Sequence, residues 1–382
     1  MTTARPQILC ISLSPITGDS RVLRQISVLR EFGDVTTVGF GPHPEGVARH
    51  IEVPPGLATL PQTLTGVALL ATRQWRRAEL KAPAIDFAAK ALRGSKFDLV
   101  VANEARVLGL ADAVAGGAPV WADMHEWAPE ERTHILSWRL LVAPFMVHLC
   151  RKYLPRASAV TAVCGSIADL YFSVFGVTTQ VMRNSGPWRD LKPGTVDPNH
   201  IRLVHSGAAV AGRDLETMID VVSMLDERYT LDVYLVSGGD GGAYLQSLKD
   251  RAAPCTRIVF KDPVAPGELP KTLNSYDIGV FWIPPTHTNA RLTLPNKFFD
   301  YVQARLAIAI GPSIEMQTLV NEFHLGTISS GFTRDECLDS LLRLSVDDVS
   351  RAKKAADTAA HTLSFDTDAE VARGILRQTL AV

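Results

Sequence analysis

The fold is decided by the stretch Leu294–Pro312, which reads LPNKFFDYVQARLAIAIGP. A turn of Pro, Asn and Lys leads into a short amphipathic helix, predicted over Phe298–Arg305. The apolar run that follows, Leu306–Ile310, is typical of a buried strand. In an open α/β sheet, ligands bind beyond the carboxyl ends of the strands and at helix N-termini. The order of loop, helix and strand therefore predicts an α/β sheet with a polar, basic entrance at this point.

Lys297 lies in the first turn of this predicted helix, after Pro295 and Asn296. Pro295 suits a helix start, because its missing N–H would be unpaired there, and Asn296 is a capping residue type. A cation in the first turn opposes the helix dipole at a cost of a few tenths of a kcal/mol. Two interpretations stay open from these residues alone: Lys297 faces an anion, or it is a solvated surface side chain.

The rest of the chain repeats the order of strand, glycine-containing turn and helix. The first set begins with a strand over Ile8–Leu13, a loop that contains Gly18, and a helix over Asp19–Phe32. A second set begins with a strand over Ile201–His205 and a loop of small residues. Strands that alternate with helices predict parallel, doubly wound sheets. The fold class expected is α/β, with two Rossmann-like units.

The segment Asn184–His200 has linker composition, with two glycines, three prolines and few apolar residues. It divides the chain into an N-terminal unit, residues 1–185, and a C-terminal unit, residues 186–365. A last helical segment, residues 366–382, is expected to pack back on the N-terminal unit. A length of 382 residues suits two hydrophobic cores better than one.

Composition excludes several classes of protein. The net charge of −1 leaves no electrostatic footprint for nucleic acid, and 46% hydrophobic with 21% charged residues is typical of a globular protein. Five scattered cysteines without a CxxC pair argue against a disulfide framework and a zinc site. No apolar run approaches the roughly 18 residues of a spanning helix. We therefore expect a cytoplasmic protein with no nucleic-acid partner.

Two basic stretches suggest contact with the inner face of a membrane. Trp75–Arg77 joins an aromatic residue to two arginines, and Trp138–Leu154 predicts a helix that is amphipathic, basic and broken at Pro144. A basic amphipathic helix suits an anionic lipid surface. The alternative is an ordinary helix with one face on the core, and the composition of the second stretch favours this alternative.

Loops of small residues at predicted strand ends allow a backbone to approach a ligand closely. Ser206–Gly207 follows one strand, Gly238–Gly239 follows another, and Arg213 stands just before the next helix. None of these loops matches GxGxxG or the P-loop, so a dinucleotide or ATP fingerprint is absent. A charge-assisted hydrogen bond contributes about 1.5–3 kcal/mol. Arg213 and Lys297 together therefore predict an anion site.

Four acidic or imidazole side chains add to the candidates. Asp300 lies one helical turn after Lys297, where it would accept both hydroxyls of a ribose or pair with Lys297. Asp123–Glu126 follows a predicted strand that ends at Ala122. His125 in this segment would bind a sugar hydroxyl or assist a proton transfer, although a single histidine is more often structural.

These motifs together resemble the GT-B glycosyltransferases, in particular the family-4-like group (group 1 glycosyltransferases), over nearly the whole chain. Pro295–Tyr301 closely matches the Pro-Asn-Lys-x-Phe-Glu-Tyr motif of that group. Asp123–Glu130 resembles its Asp-x-His-Glu-x-x-Pro-Glu segment, and Gly18–Val22 resembles its first loop and helix. His205–Gly207 with Gly212–Arg213 resembles its donor loop.

The chain departs from that group at its paired glutamates. Leu292 stands where the first Glu falls, and Asp300 stands at the second. A different recognition of the sugar would then involve His287, Asn289 and Thr293.

The resemblance implies two Rossmann-like units that face a central cleft. It implies retaining transfer of a hexosyl or related sugar from a nucleotide-sugar donor, held by the C-terminal unit, to a hydroxyl of a glycan, lipid-linked or small-molecule acceptor. It implies no metal and no cofactor. Arg213 and Lys297 would neutralise the leaving diphosphate, and His125 would contact the donor sugar. The other residues implied in donor binding are Gly18, Ser206, Gly207, Gly238, Gly239, Asn289, Thr293, Leu294, Pro295, Asn296 and Asp300.

Two other functions stay open from the sequence. One is a non-catalytic GT-B subunit that binds a sugar nucleotide or supports a partner enzyme. The other is a sugar-nucleotide epimerase of the same fold, which would need acid and base carboxylates that the sequence does not identify.

Overall fold

A computed structural model describes residues 5–380. By their internal contacts the residues form two compact units. The first unit contains the chain up to Arg183, His287–Asn289, and the chain from Asp368 onward. The second unit contains Asn184–Thr286 and Ala290–Thr367. The chain therefore passes from one unit to the other four times.

In the part of the first unit that the structure describes, seven parallel strands form one sheet in the order β3-β2-β1-β4-β5-β6-β7. The strands are β1 (Gln7–Pro15), β2 (Asp34–Phe40), β3 (Arg49–Glu52), β4 (Leu99–Asn103), β5 (Val120–Met124), β6 (Ala159–Ala162) and β7 (Gln180–Val181). The helices are α1 (Ser20–Phe32), α2 (Leu64–Ala71), α3 (Trp75–Ala78), α4 (Pro83–Ala91), α5 (Leu108–Ala115), α6 (Ala143–Tyr153) and α7 (Gly165–Phe175).

The second unit has a six-stranded parallel sheet in the order β10-β9-β8-β11-β12-β13. Its strands are β8 (Ile201–Ala209), β9 (Tyr229–Ser237), β10 (Ile258–Lys261), β11 (Ile278–Phe281), β12 (Ala307–Ile310) and β13 (Gly326–Ile328). The helices from here to the end of the described chain are α8 (Glu216–Met224), α9 (Ala243–Ala252), α10 (Leu269–Leu273), α11 (Thr288–Arg291), α12 (Asn296–Gln303), α13 (Ile314–Phe323), α14 (Arg334–Leu342), α15 (Val346–Ala359) and α16 (Phe365–Leu380).

Both sheets confirm the predicted doubly wound α/β plan. Continuous apolar strands such as β4 and β12 are buried at every residue, as expected when helices cover both faces of a parallel sheet. In each sheet the strand order reverses between the first and fourth strands, which are β1 and β4 in one unit and β8 and β11 in the other. Ligands in this fold bind beyond the carboxyl ends of the strands at such reversals.

The helix of the deciding stretch is shifted from its predicted position. It begins at Asn296 and ends at Gln303, so Pro295 is the N-cap residue and Asn296 does not cap. The end comes early because Arg305 has a φ of 60° and leaves the helical path. Its buried guanidinium donates hydrogen bonds to the carbonyls of Gln303 and Arg189 at 2.6 Å each. The bond to Arg189 is long-range, so local sequence does not encode this part of the helix end.

Two other predicted helical stretches are divided in the structure. The stretch 63–92 forms α2, α3 and α4, with a left-handed residue at Arg73 and a new helix start at Pro83. The stretch that begins at Trp138 is a π-helical turn, Trp138–Val142, followed by α6. Pro144 lies in the first turn of α6, where its missing N–H costs nothing, so it starts a helix rather than breaking one. In the described residues, no helix is long and apolar enough to cross a bilayer.

Candidate functional site

The second unit places Lys297 beyond the carboxyl ends of β8 and β11, at the reversal of strand order. The Lys297 Nζ lies 5.3 Å from the ring centroid of Phe281, the last residue of β11. Gly207 of β8 approaches the same group, since a Cβ at this position would stand 2.2 Å from the Lys297 Nζ. Gly207 also has a φ of 147°, in the region that favours glycine. A side chain at this position would push the flexible end of Lys297 aside, and the backbone conformation itself favours glycine.

Two positive charges act on each other in this part of the second unit. Burial, and then the charge of Arg213, lower the pKa of Lys297 to about 8, against an opposite effect of Asp300. Burial also lowers the pKa of Arg213. Like charges that are desolvated together destabilise each other, and an anion between them would remove that cost. The arrangement therefore suits a ligand with negative charge.

His205 supports this group as a neutral ring. Its Nδ1 lies 2.8 Å from the carbonyl oxygen of Val280, which accepts a hydrogen bond and so fixes the proton on Nδ1. Burial, followed by the charges of Lys297 and Arg213, lowers the pKa of His205 to about 3. A neutral His205 adds no negative charge that would offset the charge of Lys297. The sequence motif contained His205, but nothing in its spacing indicated this role.

The remaining candidates of the second unit lie around these strand ends. Ser206 is a buried residue of β8, and Gly238 follows β9, where a Cβ would stand 2.3 Å from the carbonyl oxygen of Ala209. Gly239 has open space around it. Leu294 and Leu292 are buried apolar side chains. A buried leucine, Leu292, therefore stands where the family-4-like group has its first glutamate.

In the first unit, a buried carboxylate organises the carboxyl ends of the strands. Asp123 of β5 accepts hydrogen bonds from Arg21 Nε at 2.9 Å and from Arg21 Nη2 at 2.6 Å. It also accepts from Gln25 at 3.1 Å and Thr161 at 2.7 Å. Burial alone would raise the pKa of Asp123, but Arg21 and His125 hold it well below its usual range. Asp123 is therefore a fixed negative charge.

His125 follows β5 and is oriented by this carboxylate. Its Nε2 lies 3.1 Å from the Asn103 side-chain oxygen and 3.4 Å from Asp123 Oδ2. Its Nδ1 lies 3.9 Å from Glu104 Oε1. Asn103 and Glu104 lie at the end of β4, so two adjacent strands position one imidazole. The predicted segment Asp123–Glu126 thus forms a group at the place expected from sequence.

A cluster of carboxylates beside His125 was not predicted. Arg106 donates two hydrogen bonds to Glu131, at 2.9 and 2.7 Å, and its Nε lies 3.0 Å from Glu104. Glu126 is an exposed side chain, yet desolvation by the surrounding protein, followed by the charges of Glu131 and Glu104, raises its pKa to about 7. A carboxyl that titrates near neutrality is a candidate acid or base. Glu126 was visible in the motif, but its neighbours come from separate segments.

The raised pKa of Glu126 predicts a pH-dependent stability. Because the folded form binds this proton more tightly, the contribution is full below the ordinary pKa of glutamate and is lost as pH rises through about 7. Glu126→Gln removes it, so the melting temperature of the variant should gain on that of the wild type between pH 5 and pH 8. The assignment is contradicted if the difference in melting temperature between Glu126→Gln and the wild type is the same at both pH values, as expected for the exposed control Glu45→Gln.

Two predicted donor residues and Gly18 have other surroundings. Asn289 belongs to the first unit, where its amide accepts from the Trp127 N–H at 2.8 Å and donates to the Trp127 carbonyl at 3.2 Å. Both polar atoms of its side-chain amide therefore bond to the main chain of Trp127. His287, also of the first unit, lies with its ring 6.2 Å from that of His134. Gly18 ends a short turn before α1, with open space around its α-carbon.

The chain resembles solved structures, whereas no protein-family profile and no curated protein matches it. Sucrose-phosphate synthase from Thermosynechococcus elongatus is 11% identical, with a TM-score of 0.74 over 99% of this chain and 100% of that one. HepE from Anabaena in complex with UDP-glucose is 14% identical, with a TM-score of 0.69 over 98% and 100%. Trehalose-6-phosphate synthase OtsA is 12% identical, with a TM-score of 0.65 over 97% and 99%.

At these identities the likeness establishes the fold. It extends over nearly the whole of each chain, so both units take part in it. The predicted GT-B architecture of two Rossmann-like units is confirmed.

Proposed function

We propose that this chain is a glycosyltransferase that moves a sugar from a nucleotide-sugar donor to a hydroxyl acceptor, with retention at the anomeric carbon and without a metal ion. The observation that carries the proposal is the pair of desolvated cations, Lys297 and Arg213, at the reversal of strand order in the second unit. A nucleoside diphosphate has the charge that such a pair would stabilise. HepE, which shares the fold, was solved in complex with UDP-glucose, and this supports the same ligand class here.

In this proposal the second unit holds the donor. The bond from the anomeric carbon to the diphosphate oxygen breaks, and the diphosphate leaves with the electron pair. Lys297 and Arg213 neutralise the charge that develops, which is the task of a metal ion in other phosphate sites. Asp300, in the same helix as Lys297, takes the ribose hydroxyls. Gly207 leaves the space in which a phosphate oxygen can approach the ammonium.

The first unit holds the acceptor in this proposal. A new bond forms between the acceptor oxygen and the anomeric carbon, on the face from which the diphosphate departs. The acceptor proton passes to an oxygen of the departing diphosphate. His125, fixed by Asn103 and Asp123, contacts the donor sugar near the reacting carbon. The acceptor is a glycan, a lipid-linked sugar or a small molecule. All five cysteines are free, which suits a cytoplasmic location.

Nucleotide binding tests the donor site. UDP, GDP, ADP and dTDP should be compared for their effect on the melting temperature of the wild type and of Lys297→Ala. Ligand at about 100 times its dissociation constant adds about 2.7 kcal/mol of stability. We expect one of the four to stabilise the wild type and not the variant, and to stabilise the matched control Lys271→Ala, whose lysine is exposed on α10.

The outcome also separates the alternatives. If none of the four nucleotides raises the melting temperature, the donor site is refuted and a non-catalytic subunit that supports a partner enzyme becomes the better description. If a nucleotide binds but its sugar derivatives are never consumed with any acceptor, the chain is a non-catalytic sugar-nucleotide binder. Conversion of one nucleotide sugar into its epimer would indicate the third function.

A further inference from the structure

The first unit contains a cavity of about 880 Å³. It lies among α3, the segment from Pro129 to Arg139, and α6. His125, Asp123 and Glu126 are not among the residues that line it. Small-molecule sites have volumes of about 300–1,000 Å³. The cavity is therefore large enough for a ligand of its own.

The charge on the cavity wall is strongly positive. Five Lys and Arg side chains line it, against one carboxylate, Glu130. Lys152 is already neutralised, since its Nζ lies 2.9 and 2.8 Å from the two carboxylate oxygens of Glu79. In the part of the chain that the structure describes, the other four make no ion pair; they are Arg73, Arg76, Arg139 and Arg151. Four uncompensated guanidinium groups around one cavity favour an anion.

The same cavity also has an apolar wall. Pro144 and Val147 of α6 and the ring of Trp75 contribute to it, and the Trp75 ring lies 5.4 Å from the ring of His148. These side chains therefore offer an apolar surface beside the arginines.

Exposed apolar side chains lie on the segments around the cavity. Leu136 and Leu140, which flank Arg139 in sequence, are 58% and 62% exposed. Leu64 of α2 is 94% exposed, and α2 packs against the π-helical turn that contains Arg139. Leucines beside arginines are the pattern of a surface that enters the headgroup region of an anionic bilayer. This pattern favours a lipid as the source of the occupant.

We propose that the cavity binds an anionic amphiphile, with a phosphate group against the four arginines and an apolar portion along Trp75 and Val147. The volume suits a headgroup and the first part of a chain rather than a whole lipid. The proposal does not depend on sugar transfer, because it rests on the cavity alone.

Calorimetric titration of the full chain with monomeric dihexanoyl phosphatidic acid tests the binding. We expect saturable binding of one molecule, at least tenfold tighter than that of dihexanoyl phosphatidylcholine or of inorganic phosphate. Arg76→Ala and Arg151→Ala should each weaken it by about tenfold, the loss of one charge-assisted hydrogen bond. The matched control Arg93→Ala removes an exposed arginine of the same unit and should leave the affinity unchanged.

The proposal is overturned if phosphatidic acid does not bind, if the three arginine variants lose affinity equally, or if inorganic phosphate binds as tightly.

Where phosphatidic acid does bind, vesicles identify the source of the ligand. Sedimentation with phosphatidylglycerol vesicles but not with phosphatidylcholine vesicles, lost in Leu136→Ser/Leu140→Ser, supports a membrane lipid. Binding of monomeric phosphatidic acid without sedimentation supports a soluble phosphorylated amphiphile. No nucleotide is present, so these results stand apart from the test of the donor site.

Discussion

Replacing Lys297 by alanine is expected to lower the turnover of the donor sugar by about 10²–10³-fold, the loss seen when one charge-stabilising group is removed from a transition state. The reason is the position of the ammonium, which stands against Gly207 and Phe281 where the diphosphate would lie. Steady-state rates of nucleoside diphosphate release would measure the effect. Lys271→Ala should keep full activity, and an equal loss in both variants would contradict the role of Lys297.

The pH dependence of nucleotide binding gives an independent check. Lys297 carries its charge below its pKa of about 8 and loses it above. A diphosphate holds the proton on the lysine, so the affinity of the wild type should fall about tenfold between pH 7 and pH 9 by linkage. Titration calorimetry at the two pH values measures this change. Lys297→Met has no such group and should bind weakly with little change, and the same slope in both proteins would refute the assignment.

The largest loss of stability is expected from Arg21→Met, at about 3–5 kcal/mol of the free energy of unfolding, the cost of breaking a buried ion pair. Asp123 has no exposed surface and Arg21 has 6%, so the variant leaves a buried carboxylate without its main counter-charge. Denaturation in urea, followed by circular dichroism, would measure it. Arg156→Met is the matched control, because the pair Arg156–Asp112 is exposed and such pairs contribute at most about 1 kcal/mol.

A second substitution identifies the cause of that loss. In the background of Arg21→Met, Asp123→Asn removes the unpaired charge, while its amide oxygen can still accept from Gln25 and its N–H can donate to the Thr161 hydroxyl. The double variant should therefore be more stable than Arg21→Met alone. If it is less stable, or if Arg21→Met costs no more than Arg156→Met, the pair does not act as a buried charge pair.

The sequence predicts best what depends on neighbours in the chain. Apolar runs such as β12 predicted buried strands. The motif around Lys297 predicted an anion site, because the positive charge and the helix start lie within four consecutive residues. The close approach of Gly207 to Lys297 was not predictable in detail, since the two residues come from separate elements. The pair of Arg21 and Asp123 spans 102 residues, and no local pattern encodes it.

What the sequence did not predict also depends on contacts between distant parts of the chain. Arg305 was predicted as the last residue of a helix, but its left-handed backbone ends the helix earlier, and its guanidinium bonds to the carbonyl of Arg189, 116 residues away. Asn289 stays a predicted donor-binding residue, but local sequence did not indicate its contacts. The structure uses its amide to hold the Trp127 main chain, 162 residues away. Such uses are decided by tertiary packing.

Because the chain crosses between the two units four times, a single cut does not separate it into the two units. A fragment that starts at Asn184 carries away the helical segment from Asp368, whose salt bridges to Arg183 and Glu31 belong to the first unit. The other fragment loses Asn289 and exposes the Trp127 main chain. The N-terminal fragment would lack part of its unit, and the C-terminal fragment would carry segments without their partners, so isotope labelling or crystallisation of one half requires co-expression with the other, or a rearranged gene that returns the last helix to the first half.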